Sequence, residues 1–239
     1  MTTSVLAIAQ PVCWLVISSL GSLFGAVVAV VVVKQKFGGI GQNFVNPALT
    51  ARIVLLNSFP ARMTHWVNPF DYSAGADAVT NATPLVQYGQ GGELPSYFDL
   101  FLGSTGGSLG ETCALALLLG GIYLVLRKVI SPVIPVVYVA SAAGFSLLFG
   151  RDPLFDILSG GLLLGAIFMA TDYTTSPLYF KGKIVFAVGC GALTMVIREF
   201  GSLSEGVSYA IVIMNILVPL IERYVKPRSF GKERAKNEA

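Results

Sequence analysis

The sequence predicts an all-α polytopic membrane protein with about seven membrane segments, one of them a broken or re-entrant helix. Three observations predict this fold class. Hydrophobic residues make up 54% of the 239 residues and charged residues only 12%, and the mean hydropathy is +0.72, as is typical of membrane proteins. The apolar residues fall into runs of helix-spanning length. Short turns rich in glycine, proline or basic residues separate most of these runs.

The first apolar run covers residues 11–33 and carries no charge until Lys34 and Lys36 end it. A secretory signal begins with basic residues and ends at a small-residue cleavage site. The start of this chain has neither feature. We therefore expect the first run to be kept as a membrane span.

The second segment differs from an ordinary span. Asn46 followed by Pro47 is typical of a helix start, with asparagine as the N-cap and proline at the first helical position. The helix predicted over residues 47–59 is too short to cross a bilayer. We expect a re-entrant segment, lined by protein or by a water-filled cavity. A stretch too glycine-rich for helix leads into it and contains Gly38, Gly39 and Gly41.

Five further spans follow a long polar stretch. Ser108 and Glu111 have the S-x-x-E spacing of a capping box, which predicts that a helix begins at residue 109. The predicted spans cover residues 109–126, 133–149, 154–170, 184–197 and 207–221.

Basic residues orient the predicted spans. They favour one face in alternate loops, and that face receives the basic tail, so the positive-inside rule makes the tail cytoplasmic. The predicted organisation is a membrane domain over residues 1–222, which includes an exported-side loop over residues 59–108. A basic cytoplasmic tail over residues 223–239 follows and faces solvent or lipid headgroups.

Composition argues against several site types. The three cysteines, Cys13, Cys113 and Cys190, lie in hydrophobic runs without C-x-x-C spacing, and His65 is the one histidine. These residues offer no ligand set for zinc, haem or an iron–sulfur cluster. We predict no metal site, and nothing in the sequence indicates nucleic-acid binding.

Residues 77–84, in the polar stretch, allow three interpretations of Thr83. An ordinary loop accounts for their turn-forming composition. Asn81-Ala82-Thr83 is formally an N-glycosylation sequon, although Pro84 disfavours modification. Alternatively, the Thr83 hydroxyl attacks a phosphoryl group and holds a cofactor as a phosphodiester, with Asp77 helping recognition.

Other polar residues each have a structural and a functional interpretation. The glycine-rich stretch either packs closely inside a broken helix or, with Asn43 and Asn46, lines a ligand pocket at the helix N-terminus. Arg52 either snorkels or contacts a ligand or partner. Glu111 is either the capping-box partner of Ser108 or a buried polar group.

Three charged residues lie near the ends of predicted spans. We expect Asp156 and Asp172 to be solvated, and Asp172 has the alternative of lining an ion path. Arg198 adjoins an outer turn, and we expect it at the membrane interface.

Eight short blocks of the sequence, taken together, resemble the RnfD/NqrB family of membrane flavoprotein subunits, and RnfD more closely. The resemblance covers almost the whole chain, and the order of the blocks is more specific than any single one. The blocks are VKQ (33–35), FGGIGQN (37–43), NPA (46–48), AR (51–52), DAVTNATPL (77–85), GET (110–112), MATD (169–172) and EGVSYA (205–210).

The resemblance implies that Thr83 carries FMN, esterified through its phosphate. The usual family motif is D-x-x-S-G-A-T. Asp77 and Ala82 match it, Thr80 replaces the serine with another hydroxyl, and Asn81 replaces the glycine with a residue that tolerates left-handed backbone. The resemblance also implies a second, noncovalent flavin, such as riboflavin. Its predicted pocket contains Gly38, Gly39, Gly41, Asn43, Asn46, Arg52 and Glu111.

The implied function is that of a membrane subunit in an Rnf-type ion-translocating ferredoxin:NAD oxidoreductase complex. It is an electron-transfer subunit and not a self-sufficient enzyme. The implied partners are other complex subunits, including an exported-side flavin subunit, a flavin transferase and membrane lipid. The implied location is the cytoplasmic membrane of a bacterium or archaeon.

The chain also departs from the family, whose members usually carry about three further N-terminal helices. Two alternative functions remain. One is a transporter or channel-like module, suggested by the broken helix. The other is a structural assembly subunit without its own redox centre.

Overall fold

The computed structural model describes residues 21–36, 42–63, 83–89, 94–105, 107, 111–201 and 206–226. Within these ranges every regular element is a helix, which confirms the all-α prediction for the described part of the chain. The elements are α1 (Gly21–Gln35, π-helical over Val28–Gln35), α2 (Pro47–Ser58), α3 (Pro60–Met63), α4 (Pro84–Gly89), α5 (Tyr97–Leu102), α6 (Ala114–Leu126), α7 (Val133–Leu148), α8 (Pro153–Leu158), α9 (Leu162–Leu164, continued by a π-helical turn over Gly165–Met169), α10 (Phe180–Phe200) and α11 (Val207–Val225).

Helix α2 begins as its sequence predicts. The Asn46 side-chain oxygen accepts hydrogen bonds from the backbone N–H groups of Ala48 and Leu49, at 3.0 and 3.3 Å. Pro47 occupies the first helical position, where a missing N–H group costs nothing. The helix ends at Ser58, one residue before the predicted end.

The partners of α2 show its position along α11. Asn46 meets Asn215, which lies near the middle of α11, while Asn57 accepts a hydrogen bond from the Tyr209 hydroxyl near the start of α11 (3.3 Å). Helix α2 therefore runs beside only the first half of α11. With 12 residues α2 is shorter than a membrane span, and its re-entrant placement stays a prediction.

The main core lies where α7, α10 and α11 meet α9, its π-helical continuation and the start of α2. Tyr138, Phe186 and Ile211 are fully buried in it. The Tyr138 hydroxyl lies 2.7 Å from the Thr194 hydroxyl, so this buried polar pair is satisfied. Helices α7 and α10 approach closely at Gly191, where a side-chain β-carbon would lie 2.9 Å from the backbone nitrogen of Ala142.

The outer surface of the bundle is apolar. On α6, for example, the exposed side chains include Leu119, Ile122 and Leu126, which follow helical spacing. Large exposed apolar patches mark contact with membrane or with other proteins. By length and composition, α10 and α11 are the two helices in the described part of the chain that can cross a membrane, and α1, α6 and α7 are shorter apolar helices.

Several predicted boundaries are wrong. The span predicted over residues 154–170 is interrupted after Leu158, and the helix predicted from residue 109 begins only at Ala114. Helix α10 is longer than predicted and runs from Phe180 to Phe200. The polar stretch over residues 59–108 holds three short helices, α3 to α5, in its described part.

Candidate functional site

Thr83 stands immediately before α4, with Pro84 as the first residue of that helix. Its backbone carbonyl accepts the first helical hydrogen bond, from the N–H group of Gln87 at 3.0 Å. Its side chain is buried, with 8% of the residue exposed. The hydroxyl has no hydrogen-bond partner among the described residues. A buried hydroxyl without a partner costs free energy, and Thr83 therefore requires an explanation beyond that of an ordinary loop residue.

A cleft opens beside Thr83, and we call it the Thr83 cleft. It has a cavity volume of about 20 Å³, roughly the room that a small group of water size needs. Hydroxyl groups, a carboxylate and apolar side chains share its wall. The lining residues are Thr83, Pro84, Leu100, Thr105, Gly107, Glu111, Thr112, Leu158, Ser159 and Gly160.

One wall of the Thr83 cleft is the interruption between α8 and α9. Gly160 has φ +66°, a left-handed conformation that favours glycine, and Ser159 has extended backbone. The Ser159 hydroxyl is the second buried hydroxyl of this cleft without a partner among the described residues. This wall was not predicted, although the Ser-Gly-Gly triplet at residues 159–161 is a signal that could have indicated a helix break.

A buried charge network lies behind this wall. Arg198 on α10 donates to the backbone carbonyls of Asp156 (2.6 Å) and Ser159 (3.2 Å), which satisfies carbonyls at the end of α8. Its guanidinium also lies 3.6 Å from the Asp156 carboxylate. Arg198 and Asp156 are 7% and 1% exposed. The expectation that Asp156 is solvated is therefore wrong, and Arg198 is buried inside the protein, while its depth in the membrane stays a prediction.

The Asp156 carboxylate is fully hydrogen-bonded. Ser146 donates to it at 2.7 Å, and Arg151 donates twice, at 3.0 and 2.9 Å. Arg151 also reaches Glu199 at 3.4 Å and lies over the ring of Tyr88 on α4, 4.4 Å from its centroid. This network joins α4, α8 and α10, and so fixes the helix that follows Thr83 against the cleft wall.

Glu111 contacts the break between α8 and α9 at Gly161. Its carboxyl carbon lies 3.0 Å from the position that a β-carbon on Gly161 would occupy. Its carboxylate forms an ion pair with Arg52 on α2. The capping-box interpretation of Glu111 is wrong, because Cys113 is the N-cap residue of α6 and Glu111 lies outside that helix. Ser108 lies outside the described residues.

Asn43 and Asn46 belong to a different polar cluster. The Asn43 amide donates to the Thr174 hydroxyl at 3.2 Å, and that hydroxyl donates to the Asp172 carboxylate at 3.0 Å. The Asn46 amide donates to the carbonyl of Met169, where the π-helical turn ends, at 3.4 Å. Such turns occur frequently at functional sites.

Asn215 closes this second cluster from α11. With its amide nitrogen facing acceptors, it donates to the Thr175 carbonyl at 3.2 Å and accepts from the Asn46 backbone N–H at 3.2 Å. The residues of the predicted second pocket therefore fall into two separate clusters. Asn43 and Asn46 contact the segment that follows α9, whereas Arg52 and Glu111 form an ion pair beside the Thr83 cleft.

Seven predicted site residues lie outside the described part of the chain, and their predicted roles stay predictions. They are Gly38, Gly39, Gly41, Asp77, Thr80, Asn81 and Ala82.

The turn before α8 is tied to α5 by a hydrogen bond from the Tyr97 hydroxyl to the Asp152 carboxylate. This bond holds the pKa of Asp152 below its usual value and raises the pKa of Tyr97. Asp152 also caps α8 by accepting from the backbone N–H of Leu154 at 3.0 Å. Helix α8, which carries Ser159 at its end, is thus fixed at its start as well.

Comparison with known proteins identifies the family. The profile of the NQR2, RnfD, RnfE family matches residues 3–231. The D-type subunit of the Na⁺-translocating ferredoxin:NAD⁺ oxidoreductase complex of Acetobacterium woodii is 50% identical over 219 residues, covering 90% of this chain and 68% of that protein.

Other relatives carry similar names. The D-type subunit of the proton-translocating ferredoxin:NAD⁺ oxidoreductase complex of Clostridium ljungdahlii is 42% identical, covering 88% of this chain and 68% of that protein. The corresponding subunit of an ion-translocating oxidoreductase complex from Stutzerimonas stutzeri is 40% identical, covering 87% and 69%. The chain therefore belongs to the NQR2, RnfD, RnfE family, as the order of its sequence blocks predicts.

Proposed function

We propose that this chain is the membrane subunit of an Rnf-type ion-translocating ferredoxin:NAD⁺ oxidoreductase complex, and that it transfers electrons through FMN attached covalently to Thr83. The family membership and the names of the relatives support the complex. The observation that carries the covalent flavin is the buried Thr83 hydroxyl, which has no partner among the described residues and lines a cleft.

The attachment is a phosphoryl transfer with no change of oxidation state. A bond forms between the Thr83 hydroxyl oxygen and the phosphorus of the FMN moiety of a flavin dinucleotide. The bond from that phosphorus to the bridging oxygen breaks, and a nucleoside monophosphate leaves with the electron pair. The Thr83 proton passes to a base of a separate flavin transferase, since no described base hydrogen-bonds to this hydroxyl.

The hydroxyls of Thr83 and Ser159 suit a phosphate ester at the mouth of the cleft, whereas the cleft does not suit a buried flavin ring. The cleft has room for a small group and is much smaller than a three-ring isoalloxazine. The ring therefore extends outside it. Bound flavin supplies the electron-transfer chemistry, and the chain supplies placement and electrostatics. Its own part is to hold the ester end against a wall fixed by Arg198 and Asp156.

A second, noncovalent flavin such as riboflavin is part of the proposal. Asn43 and Asn46, held beside the segment that follows α9, are the described residues that best suit it. The described hydrogen bonds leave the Asn43 oxygen and a second amide hydrogen on each side chain for the polar edge of a flavin, because the Asn46 oxygen is taken up in capping α2. The glycine-rich stretch with Gly38, Gly39 and Gly41 completes the proposed pocket.

The proposed topology follows from charge placement. The basic tail lies in the cytoplasm, and the Thr83 loop lies on the exported side of a bacterial or archaeal cytoplasmic membrane. There it receives electrons from an exported-side flavin subunit and passes them inward. The names of the relatives include both Na⁺ and proton translocation, and the proposal therefore specifies a coupled cation without choosing between them.

In-gel flavin fluorescence of the denatured protein tests the covalent site. After co-expression with a flavin transferase, we expect a fluorescent band for the wild type and for Thr83→Ser, and none for Thr83→Ala. Thr112→Ala is the matched control, since Thr112 lines the same cleft, and it should keep the label. A wild-type band without fluorescence would favour a transporter-like or structural role.

A further inference from the structure

The Thr83 cleft holds two buried hydroxyls, and both lack a partner among the described residues. One belongs to Thr83, the proposed attachment point. The other belongs to Ser159, which is 1% exposed and stands on the opposite element, at the end of α8. Native proteins satisfy nearly all such groups, so each exception needs a specific reason.

The local structure does not explain why the Ser159 hydroxyl lacks a hydrogen-bond partner. Its backbone N–H donates to the Phe155 carbonyl at 2.8 Å, and its own carbonyl accepts from Arg198 at 3.2 Å. Only the side-chain hydroxyl remains unused. Because Arg198 holds the backbone on one side and α8 holds it on the other, the Ser159 backbone has a fixed position in the cleft wall, and its hydroxyl moves only by rotation of the side chain.

The charged groups around the cleft are paired, so they leave it without a net negative charge that would repel an anion. Glu111 is the carboxylate among the lining residues, and Arg52 neutralises it through their ion pair. Behind the wall, a guanidinium nitrogen of Arg198 lies 3.2 Å from where a β-carbon on Gly160 would be. Arg198 therefore places positive charge beside the Ser159–Gly160 backbone, although Asp156 offsets part of it.

We infer that Ser159 is a binding residue for the flavin phosphate: its hydroxyl donates a hydrogen bond to a non-bridging oxygen of the phosphodiester on Thr83. This inference rests on the proposed function. It explains both orphaned hydroxyls together, since esterification consumes the Thr83 proton and the new phosphate oxygens accept from Ser159. A phosphodiester keeps a negative charge, and hydrogen bonds to charged groups are the stronger ones.

The inference makes the effect of Ser159→Ala depend on the flavin. Without the ester, removing an unpartnered buried hydroxyl should leave thermal stability unchanged or raise it. With the ester, the same substitution removes a charge-assisted hydrogen bond and should lower the unfolding midpoint by about 3–8 °C. A purely structural role for Ser159 would give the same shift in both states.

The test is a cycle of four full-length proteins, each co-expressed with the flavin transferase: wild type, Ser159→Ala, Thr83→Ala, and the double variant. In-gel fluorescence first measures the flavin on each protein, and thermal unfolding in detergent then gives the midpoints. Ser141→Ala, on both backgrounds, controls for losing a serine hydroxyl outside the cleft, where Ser141 donates to the Tyr138 carbonyl at 2.9 Å, and it should give equal shifts. We expect Ser159→Ala to lower the midpoint of the labelled protein and not that of the Thr83→Ala protein.

The outcomes separate the two proposals. A labelled wild type with equal Ser159→Ala shifts on both backgrounds would overturn the role of Ser159 and leave the flavin on Thr83 standing. A wild type without flavin would overturn both. If Ser159→Ala abolishes labelling, comparison of labelling time courses replaces the midpoint, and rescue of the rate by Ser159→Thr is then required, because threonine restores the donor hydroxyl.

Discussion

Arg52 and Glu111, 59 positions apart in the sequence, form an ion pair that ties α2 to the wall of the Thr83 cleft. The Glu111 side chain is only 4% exposed, and that of Arg52 is 22% exposed. Through this pair α2 is joined mechanically to the proposed flavin site. The two parts of the predicted site thus share one structural link.

We expect Arg52→Gln to lower the free energy of unfolding by about 3 kcal/mol, because it leaves the Glu111 carboxylate buried without its counter-ion. Adding Glu111→Gln should recover a large part of this loss, since two amides can bond without a net charge. Thermal unfolding in detergent measures both variants. If the double variant is no more stable than Arg52→Gln, the unpaired charge is not the cause of the loss.

Substitutions in the Arg198 network should lower the free energy of unfolding more at its buried end than at its exposed end. Arg198, whose side chain is fully buried, both caps α8 and pairs with Asp156, so Arg198→Gln should cost about 3–5 kcal/mol. Glu199→Gln, on the next residue, removes only a partly exposed pair with Arg151 at 3.4 Å and should cost less than about 1 kcal/mol. Equal losses of stability would contradict this assignment.

Gly160 and Gly150 provide a matched pair of glycines, with φ +66° and +71°. Replacing either by alanine should cost about 1–2 kcal/mol from backbone conformation alone. A β-carbon at Gly160 would also lie 2.6 Å from the Leu85 side chain, two residues after Thr83, whereas Gly150 has open space. We therefore expect Gly160→Ala, and not Gly150→Ala, to reduce covalent flavin. Similar flavin content in the two variants would show that the wall does not matter for attachment.

The proposal of a second flavin predicts that substitutions at two positions weaken its binding. Asn43→Ala and Arg52→Ala should each weaken noncovalent flavin binding about tenfold, the effect of losing one good polar contact. Flavin extracted from the purified complex measures this. Asn57→Ala, at the other end of α2, is the control and should keep the flavin. Unchanged recovery in Arg52→Ala would exclude Arg52 as a contact and leave Asn43 and Asn46 as the site.

Local signals predicted part of the fold well. The start of α2 follows from Asn46 and Pro47, because capping depends on neighbouring residues only. The limits of α7 were predicted to within one residue, since Pro132 and the Gly150 turn mark its ends.

Long-range contacts account for the errors. The break at residues 159–161 interrupts a continuous apolar run, and it is held by Arg198, about 40 positions further along. The pairing of Arg52 with Glu111 and the burial of Asp156 likewise depend on helices that meet only in the folded chain. Periodicity and capping rules cannot supply such contacts. In the candidate site, the sequence therefore identified Thr83, Arg52 and Glu111 as residues of interest, but not Ser159 or Arg198.

Peptide mass mapping tests the central claim most directly. The wild-type chain, co-expressed with a flavin transferase and purified with its complex, is digested, and the peptide that contains Thr83 is sequenced by tandem mass spectrometry. We predict a mass increase equal to FMN less one water, localised on Thr83. An unmodified Thr83, or the same increase on another hydroxyl such as Thr80 or Ser159, would contradict the covalent attachment proposed here.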